Sequence, residues 1–262
     1  MLKLGVLVPF LAAYTVVLAT KSLLGQGIHH AGSSRILDGK IAAPGAHPFM
    51  VSLRAYPNQH FCAGTIVNNL WILTAAHCMI SRTIGGVFAV VGTNTLNHGG
   101  FAEEVRRVVI YPGYTGSPIN NLAMVQLEST LSYSATIAQV ALDITLSKSI
   151  INVTVIGWGY TSNDGPMSNY LREQSTETIS QAACSQYWPR RITANHICTK
   201  FEDWKGACEG DSGGPLIHTN SKKQVGVMSF YSRKGCGVVS PPVFTRVSPY
   251  ISWIQSTANL RG

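Results

Sequence analysis

The 262-residue chain is 45% hydrophobic and 12% charged, far from the polar, highly charged composition of disorder and long enough to bury one large core or two small ones. Its formal charge of +8 includes the scattered basic pairs Arg106-Arg107, Arg190-Arg191, Lys222-Lys223 and Arg233-Lys234. These pairs have no interleaved aromatics and fit no nucleic-acid motif, so they read as solvated surface and no nucleic-acid partner is expected.

Residues 1–19 carry an early Lys3 and then an almost unbroken apolar run from Leu4, closing on Val17-Leu18-Ala19, an acceptable small-residue cleavage site. A run of about 16 residues falls short of the roughly 20 needed to span a bilayer, so a signal peptide is expected rather than a membrane anchor. The protein is therefore expected to be secreted and extracellular, without a membrane partner. Residues 20–35 are polar, contain Gly and Ser, and show no hydrophobic periodicity; they look like a propeptide. Its loss with the signal removes Lys3, Lys21 and Arg35 and no acidic residue, which leaves a mildly basic chain.

Beyond residue 35 the pattern is of many short strands separated by turn signals, as at 49–53, 87–91, 123–127, 153–157 and 225–229. Helix is scarce. Ser248-Pro249 predicts an N-cap and a first-turn proline, and Val247, Tyr250, Ile251, Ile254 and Ala258 repeat at helical spacing, which predicts a terminal helix docked as a lid. Residues 128–145 join two strand-rich halves, so two domains are predicted, 36–140 and 141–262. The six cysteines imply a disulfide framework in a secreted chain, with the connectivity open. No CxxC pair occurs, which argues against a zinc site.

The stretch Gly206-Ala207-Cys208-Glu209-Gly210-Asp211-Ser212-Gly213-Gly214-Pro215 is too rich in glycine for helix or strand and presents one hydroxyl, Ser212, between small residues. Glycine opens backbone conformations closed to other residues and lets a substrate carbonyl approach, while the amides of Gly210 and Ser212 could converge on a developing oxyanion. Upstream, Thr74-Ala75-Ala76-His77-Cys78 offers an imidazole. A serine hydroxyl is a poor nucleophile until such a base accepts its proton, and the same ring can then protonate a leaving amine. The two stretches together resemble the active-site signature of the trypsin and chymotrypsin family of serine proteases. The resemblance extends over nearly everything after residue 35, and looks strongest to invertebrate digestive chymotrypsins.

The resemblance implies an all-β fold of two six-stranded antiparallel barrels with a C-terminal helix. His77 and position 121 would lie on the first barrel and Ser212 on the second, with the active site in the cleft. It implies the disulfides Cys62–Cys78, Cys184–Cys198 and Cys208–Cys236. Arg35-Ile36-Leu37-Asp38-Gly39 resembles the activation junction, where a trypsin-like protease cuts after arginine and the freed Ile36 ammonium pairs with Asp211; Leu37 and Asp38 depart from the usual valine and glycine. No cofactor and no metal are expected, because the residues between Gly92 and Glu104 lack the carboxylate pattern of a calcium loop. Protein or peptide substrates, an activating protease and a monomer follow from the same resemblance.

Two departures bear on activity. Asn120-Asn121-Leu122-Ala123-Met124 stands where the family has a pattern like Asn-Asp-Ile-Ala-Leu, so Asn121 replaces the carboxylate that holds the histidine in its base tautomer. The pocket differs as well. Gly206 stands at the floor, where no acid remains to anchor a basic side chain, and Ser229-Phe230-Tyr231 matches the segment that pairs with substrate backbone. Tyr231 replaces a mouth glycine and Pro242 a wall glycine, which predicts an apolar, narrowed pocket. Asn152-Val153-Thr154 is a glycosylation sequon at the entry to a strand. Two function classes follow: a serine endopeptidase of low efficiency, or a noncatalytic homologue that binds protein in the same cleft.

Overall fold

In the computed structural model, residues 39–145, 149–161, 165–201, 207–232, 234 and 239–260 are described. The elements are β1 (Lys40–Ile41), β2 (Met50–Ala55), β3 (Gln59–Asn68), β4 (Trp71–Thr74), α1 (Ala76–Met79), β5 (Val87–Val91), β6 (Phe101–Ile110), β7 (Ala123–Leu127), β8 (Asn152–Gly157), β9 (Arg172–Ile179), α2 (Gln181–Tyr187), β10 (His196–Thr199), β11 (Pro215–His218), β12 (Gln224–Phe230), β13 (Val243–Arg246), a 3-10 turn (Ser248–Tyr250) and α3 (Ile251–Ala258). Strands β2-β3-β4-β7-β6-β5 close one barrel, and β8, β9, β10, β13, β12 and β11 close a second through the β8–β9 pairing. Every strand pairing is antiparallel. Although β1 precedes the first barrel in sequence, it joins the second, pairing with β9 through Lys40↔Glu173 and Ile41↔Arg172.

Strand periodicity decides which side chains fill each barrel. In β2, Val51 and Leu53 enter the first core while the alternate Ser52 and Arg54 turn the other way, and all four are buried. The first core gathers Leu53, Ile66, Ile72, Leu73, Leu122 and Met124, each worth about 1.5–3 kcal/mol when fully buried. The second core is built on Val153, Val155, Ile197, Leu216 and Phe244. A third cluster joins Met50 and Ala63 of the first barrel to Ile156, Trp158 and Leu171 of the second.

The terminal helix caps the first barrel: Ile254 and Ala258 belong to the first core, and Asn68 Nδ2 donates to the Ala258 carbonyl at 3.0 Å. Its start differs from the expectation. Ser248 lies inside the 3-10 turn with Val247 as its N-cap, and the Ser248 Oγ is buried without a hydrogen-bond partner. Ser248 sits inside that turn rather than ahead of α3, so its hydroxyl does not cap the helix amides as expected. Among the described residues no helix is long and apolar enough to cross a membrane.

Two of the expected disulfides are formed, Cys62–Cys78 and Cys184–Cys198. Cys208 is also disulfide-bonded, while the expected partner Cys236 lies outside the described residues. So do Arg35, Ile36 and Gly206. Asn152 of the sequon is exposed at the first position of β8.

Candidate active site

Register brings the site together. In the β4–β7 pairing Thr74 lies opposite Ala123, so His77, three residues after the end of β4, sits beside Asn121, two before the start of β7. In the β11–β12 pairing Pro215 lies opposite Val227, and the Gly213 N–H donates to the Met228 carbonyl at 3.0 Å. That places Ser212 next to Ser229 at the end of β12. Ser212 is tied to the first barrel as well, its carbonyl accepting the Ala63 N–H at 2.8 Å. At Gly213 (φ +78°) any side chain would run into Thr74 and the Ala63 carbonyl, so glycine allows the two barrels to close at this point.

His77 is carried on α1, and its imidazole Nδ1 lies 2.8 Å from Asn121 Nδ2. Asn121 is buried, and its two side-chain atoms meet three groups. Oδ1 accepts the His77 backbone N–H at 2.9 Å, and Nδ2 also donates to Ser229 Oγ at 2.8 Å. The backbone N–H can only donate, so the amide must present its carbonyl there and its NH2 to the imidazole. Nδ1 then accepts, and in the neutral ring the proton sits on Nε2. Burial lowers the His77 pKa despite a solvent-exposed edge, and the Asn121 amide, donating to Nδ1, favours the neutral ring as well. Among the described residues no carboxylate counters the burial.

The oxyanion candidates are Gly210, with φ +95°, and Ser212. Among the described residues neither amide donates to a protein acceptor, and Ser212 Oγ makes no hydrogen bond to His77. Between them, Asp211 is fully buried and takes the Gly159 N–H at 2.7 Å on Oδ1 and the Cys208 N–H at 2.9 Å on Oδ2. Side chains at Gly157 or Gly159 would collide with this carboxylate. Burial pushes Asp211 up to about 6, against the two amide bonds.

Around the pocket, Tyr231 packs on Cys208 together with Tyr160. Phe230 closes β12 and turns its ring onto Trp188 at 5.0 Å, edge to face, while Pro242 is buried beside Thr199, whose N–H approaches its carbonyl at 3.4 Å. His77, Cys62 and Cys78 bring donor atoms within 4.8 Å of one another, but both sulfurs are spent in their disulfide and offer no thiolate to a metal.

Sequence reading left His60 unassigned, yet it touches the site. Its Nε2 contacts the Gly210 carbonyl at 2.9 Å and its Nδ1 the Ser52 hydroxyl at 2.8 Å. The carbonyl requires a proton on Nε2, so Nδ1 accepts from Ser52. The available signal was a serine and a histidine on strands that pair with each other. Met167 was also missed; its Sδ would lie 2.9 Å from a Cβ placed on Gly210.

Two closed six-stranded antiparallel barrels with a short C-terminal helix define the chymotrypsin-like fold. The Trypsin family profile matches residues 36–254, and the chain belongs to that family of serine endopeptidases. It is 32% identical to human granzyme M over 89% of this chain and 94% of that protein. It is 33% identical to chymotrypsin-2 of Vespa crabro over 84% and 98%, and 33% identical to trypsin II-P29 of Gallus gallus over 90% and 95%.

Proposed function

We propose that this chain is a secreted endopeptidase that cleaves after apolar residues through a Ser212 acyl-enzyme, with turnover limited by Asn121. Ser212 Oγ attacks the scissile carbonyl as His77 takes its proton, and the Gly210 and Ser212 amides receive the oxyanion. The imidazolium then protonates the leaving amine, and water, deprotonated by the same ring, releases the acyl group. The observation that carries this reading is the orientation of the Asn121 amide. A carboxylate would accept from the His77 backbone, from Nδ1–H and from the Ser229 hydroxyl at once, whereas the amide donates to Nδ1 and keeps the ring proton on Nε2, the atom that must be bare to act as base. In this family the aspartate-to-asparagine change costs about ten-thousandfold in turnover, about 5.5 kcal/mol of transition-state stabilisation.

Activation by a cut after Arg35, with the Ile36 ammonium satisfying buried Asp211, completes the proposal. The raised Asp211 pKa supports it, since among the described residues this buried carboxylate is held by two amides and meets no counter-charge. After limited trypsin treatment, terminal sequencing should read Ile36-Leu37-Asp38. A peptide library should then show apolar residues preferred over arginine and lysine before the cut bond. A preference for basic residues contradicts the pocket assignment.

Tyr231 on Cys208 favours the second reading, a homologue that binds protein in the cleft without turnover. Fluorophosphonate labelling of Ser212 in the activated Asn121→Asp chain separates the two; absence of labelling supports the binding role.

A further inference from the structure

The segment 118–121, which carries Asn121, belongs to the first barrel but is gripped by the second half of the chain. His196 Nε2 lies 3.2 Å from the Pro118 carbonyl. The Tyr250 hydroxyl donates to Asn120 Oδ1 at 2.6 Å and itself accepts from Asn195 Nδ2 at 3.2 Å. Thr245 Oγ1 reaches the Asn121 carbonyl at 3.4 Å. Asn120 holds a left-handed φ of +60°, a conformation that a side chain tolerates best when local hydrogen bonds tie it down. Its Nδ2 supplies one such tie, to the Gly113 carbonyl at 2.9 Å, and Tyr250 supplies the other.

Burial pushes the other titratable member of this clasp, Tyr250, up to about 12, which leaves His196 as the member that changes charge at lower pH, and His196 takes no part in acyl transfer. It is fully buried, at 0% exposure. Because the Pro118 carbonyl can only accept, Nε2 carries the proton; because the Thr193 backbone N–H donates to Nδ1 at 3.0 Å, Nδ1 is bare. The neutral Nε2–H tautomer satisfies both contacts. A second proton would set Nδ1–H against the Thr193 N–H, donor against donor, with the Thr193 hydroxyl, 3.2 Å from Nδ1, as the acceptor left to it inside the protein. The same ring stands edge-on to Phe230 with centroids 6.1 Å apart, so it touches both the Asn121 loop and the substrate-pairing segment.

We propose that His196 is a positioning residue for the acyl-transfer site: its Nε2–H holds the loop that aims Asn121 at His77, and a second proton, which leaves that bond in place but crowds Nδ1 against the Thr193 N–H, shifts the ring and with it the loop. The inference rests on the catalytic reading above. It adds an acid limb to activity that is separate from the titration of His77. Burial lowers the His196 pKa, which keeps the clasp closed through the neutral range. The charged and titratable neighbours are Arg246, whose Nη2 approaches the His196 carbonyl at 3.4 Å, Arg191, stacked 5.6 Å above Phe230, and Tyr250 through Asn195. The Pro118 carbonyl contact opposes the effect of burial on the ring, and no ion pair to His196 occurs among the described residues.

The test compares His196→Phe, which keeps the aromatic contact and deletes the donor, with His196→Gln, which restores an N–H. Both are made in the activated Asn121→Asp chain, where rates are measurable. His196→Phe should lower kcat at least tenfold with KM changed less than threefold, and should remove the acid limb; His196→Gln should recover most of kcat. Unchanged kcat and pH profile, or a loss confined to KM, overturns the proposal. If the Asn121→Asp chain proves inactive the catalytic reading fails, and imidazole 15N shifts decide the clasp separately. The clasp requires His77 signals to move in His196→Phe, and static signals overturn it.

Discussion

The Asn121 side-chain carbonyl accepts the His77 backbone N–H at 2.9 Å, and this one contact sets the direction of the whole amide. Its NH2 is left to face the imidazole Nδ1 and the Ser229 hydroxyl, both at 2.8 Å. Ser229→Ala removes one of these acceptors and strands a buried N–H. A loss of about 1–3 kcal/mol in stability is expected, measured by urea denaturation. An unchanged midpoint shows that the amide turns or finds another acceptor.

A second prediction concerns pH. Burial draws His60 down to about 4, the Gly210 carbonyl opposing and the Arg54 charge assisting. Between pH 6.5 and 4 the unfolded chain therefore binds a proton that the folded chain refuses, and acidification destabilises by about 3 kcal/mol over the window. Asp211 acts with the opposite sign. Raised to about 6 from 3.8, it keeps its proton when folded in a range where the unfolded chain has lost it, so acidification through that range stabilises. The two windows overlap and offset each other. Pairing of Asp211 with the Ile36 ammonium lowers its pKa and leaves the His60 loss uncompensated. The cleaved protein should thus lose stability between pH 6 and 4 more steeply than Arg35→Gln, which cannot be cut there by trypsin. Parallel curves would argue against the pairing.

The third prediction concerns Gly159. A Cβ there meets the Asp211 carboxylate, and the Gly159 N–H is one of that group's two donors. Gly159→Ala should therefore cost about 3 kcal/mol or more and abolish probe labelling of Ser212 by displacing the turn between Gly210 and Ser212. Wild-type labelling in that variant would show the turn to be held by other contacts.

Much of the fold was legible. The strands 87–91 and 123–127 have the bounds expected from their apolar runs and turn signals, and the serine and histidine stand in local motifs whose spacing is carried within a few residues. Asn121 was legible for the same reason, as a wrong residue type in a short pattern. Contacts that depend on register between distant strands were not. His60 meets Gly210 across 150 residues of sequence, and Tyr250 meets Asn120 across 130. No local period encodes either. The Ser248 cap failed at short range, where the dipeptide lies inside a 3-10 turn and not at the α-helical start that it often signals.

The central claim is that one amide in place of one carboxylate limits turnover. The direct measurement is kcat/KM for an apolar peptide at neutral pH, comparing the activated natural chain with activated Asn121→Asp. The account predicts a rise on the order of ten-thousandfold in the variant, with the natural chain closing part of the gap at alkaline pH as hydroxide substitutes for the missing base. Equal rates for the two proteins at neutral pH would contradict it.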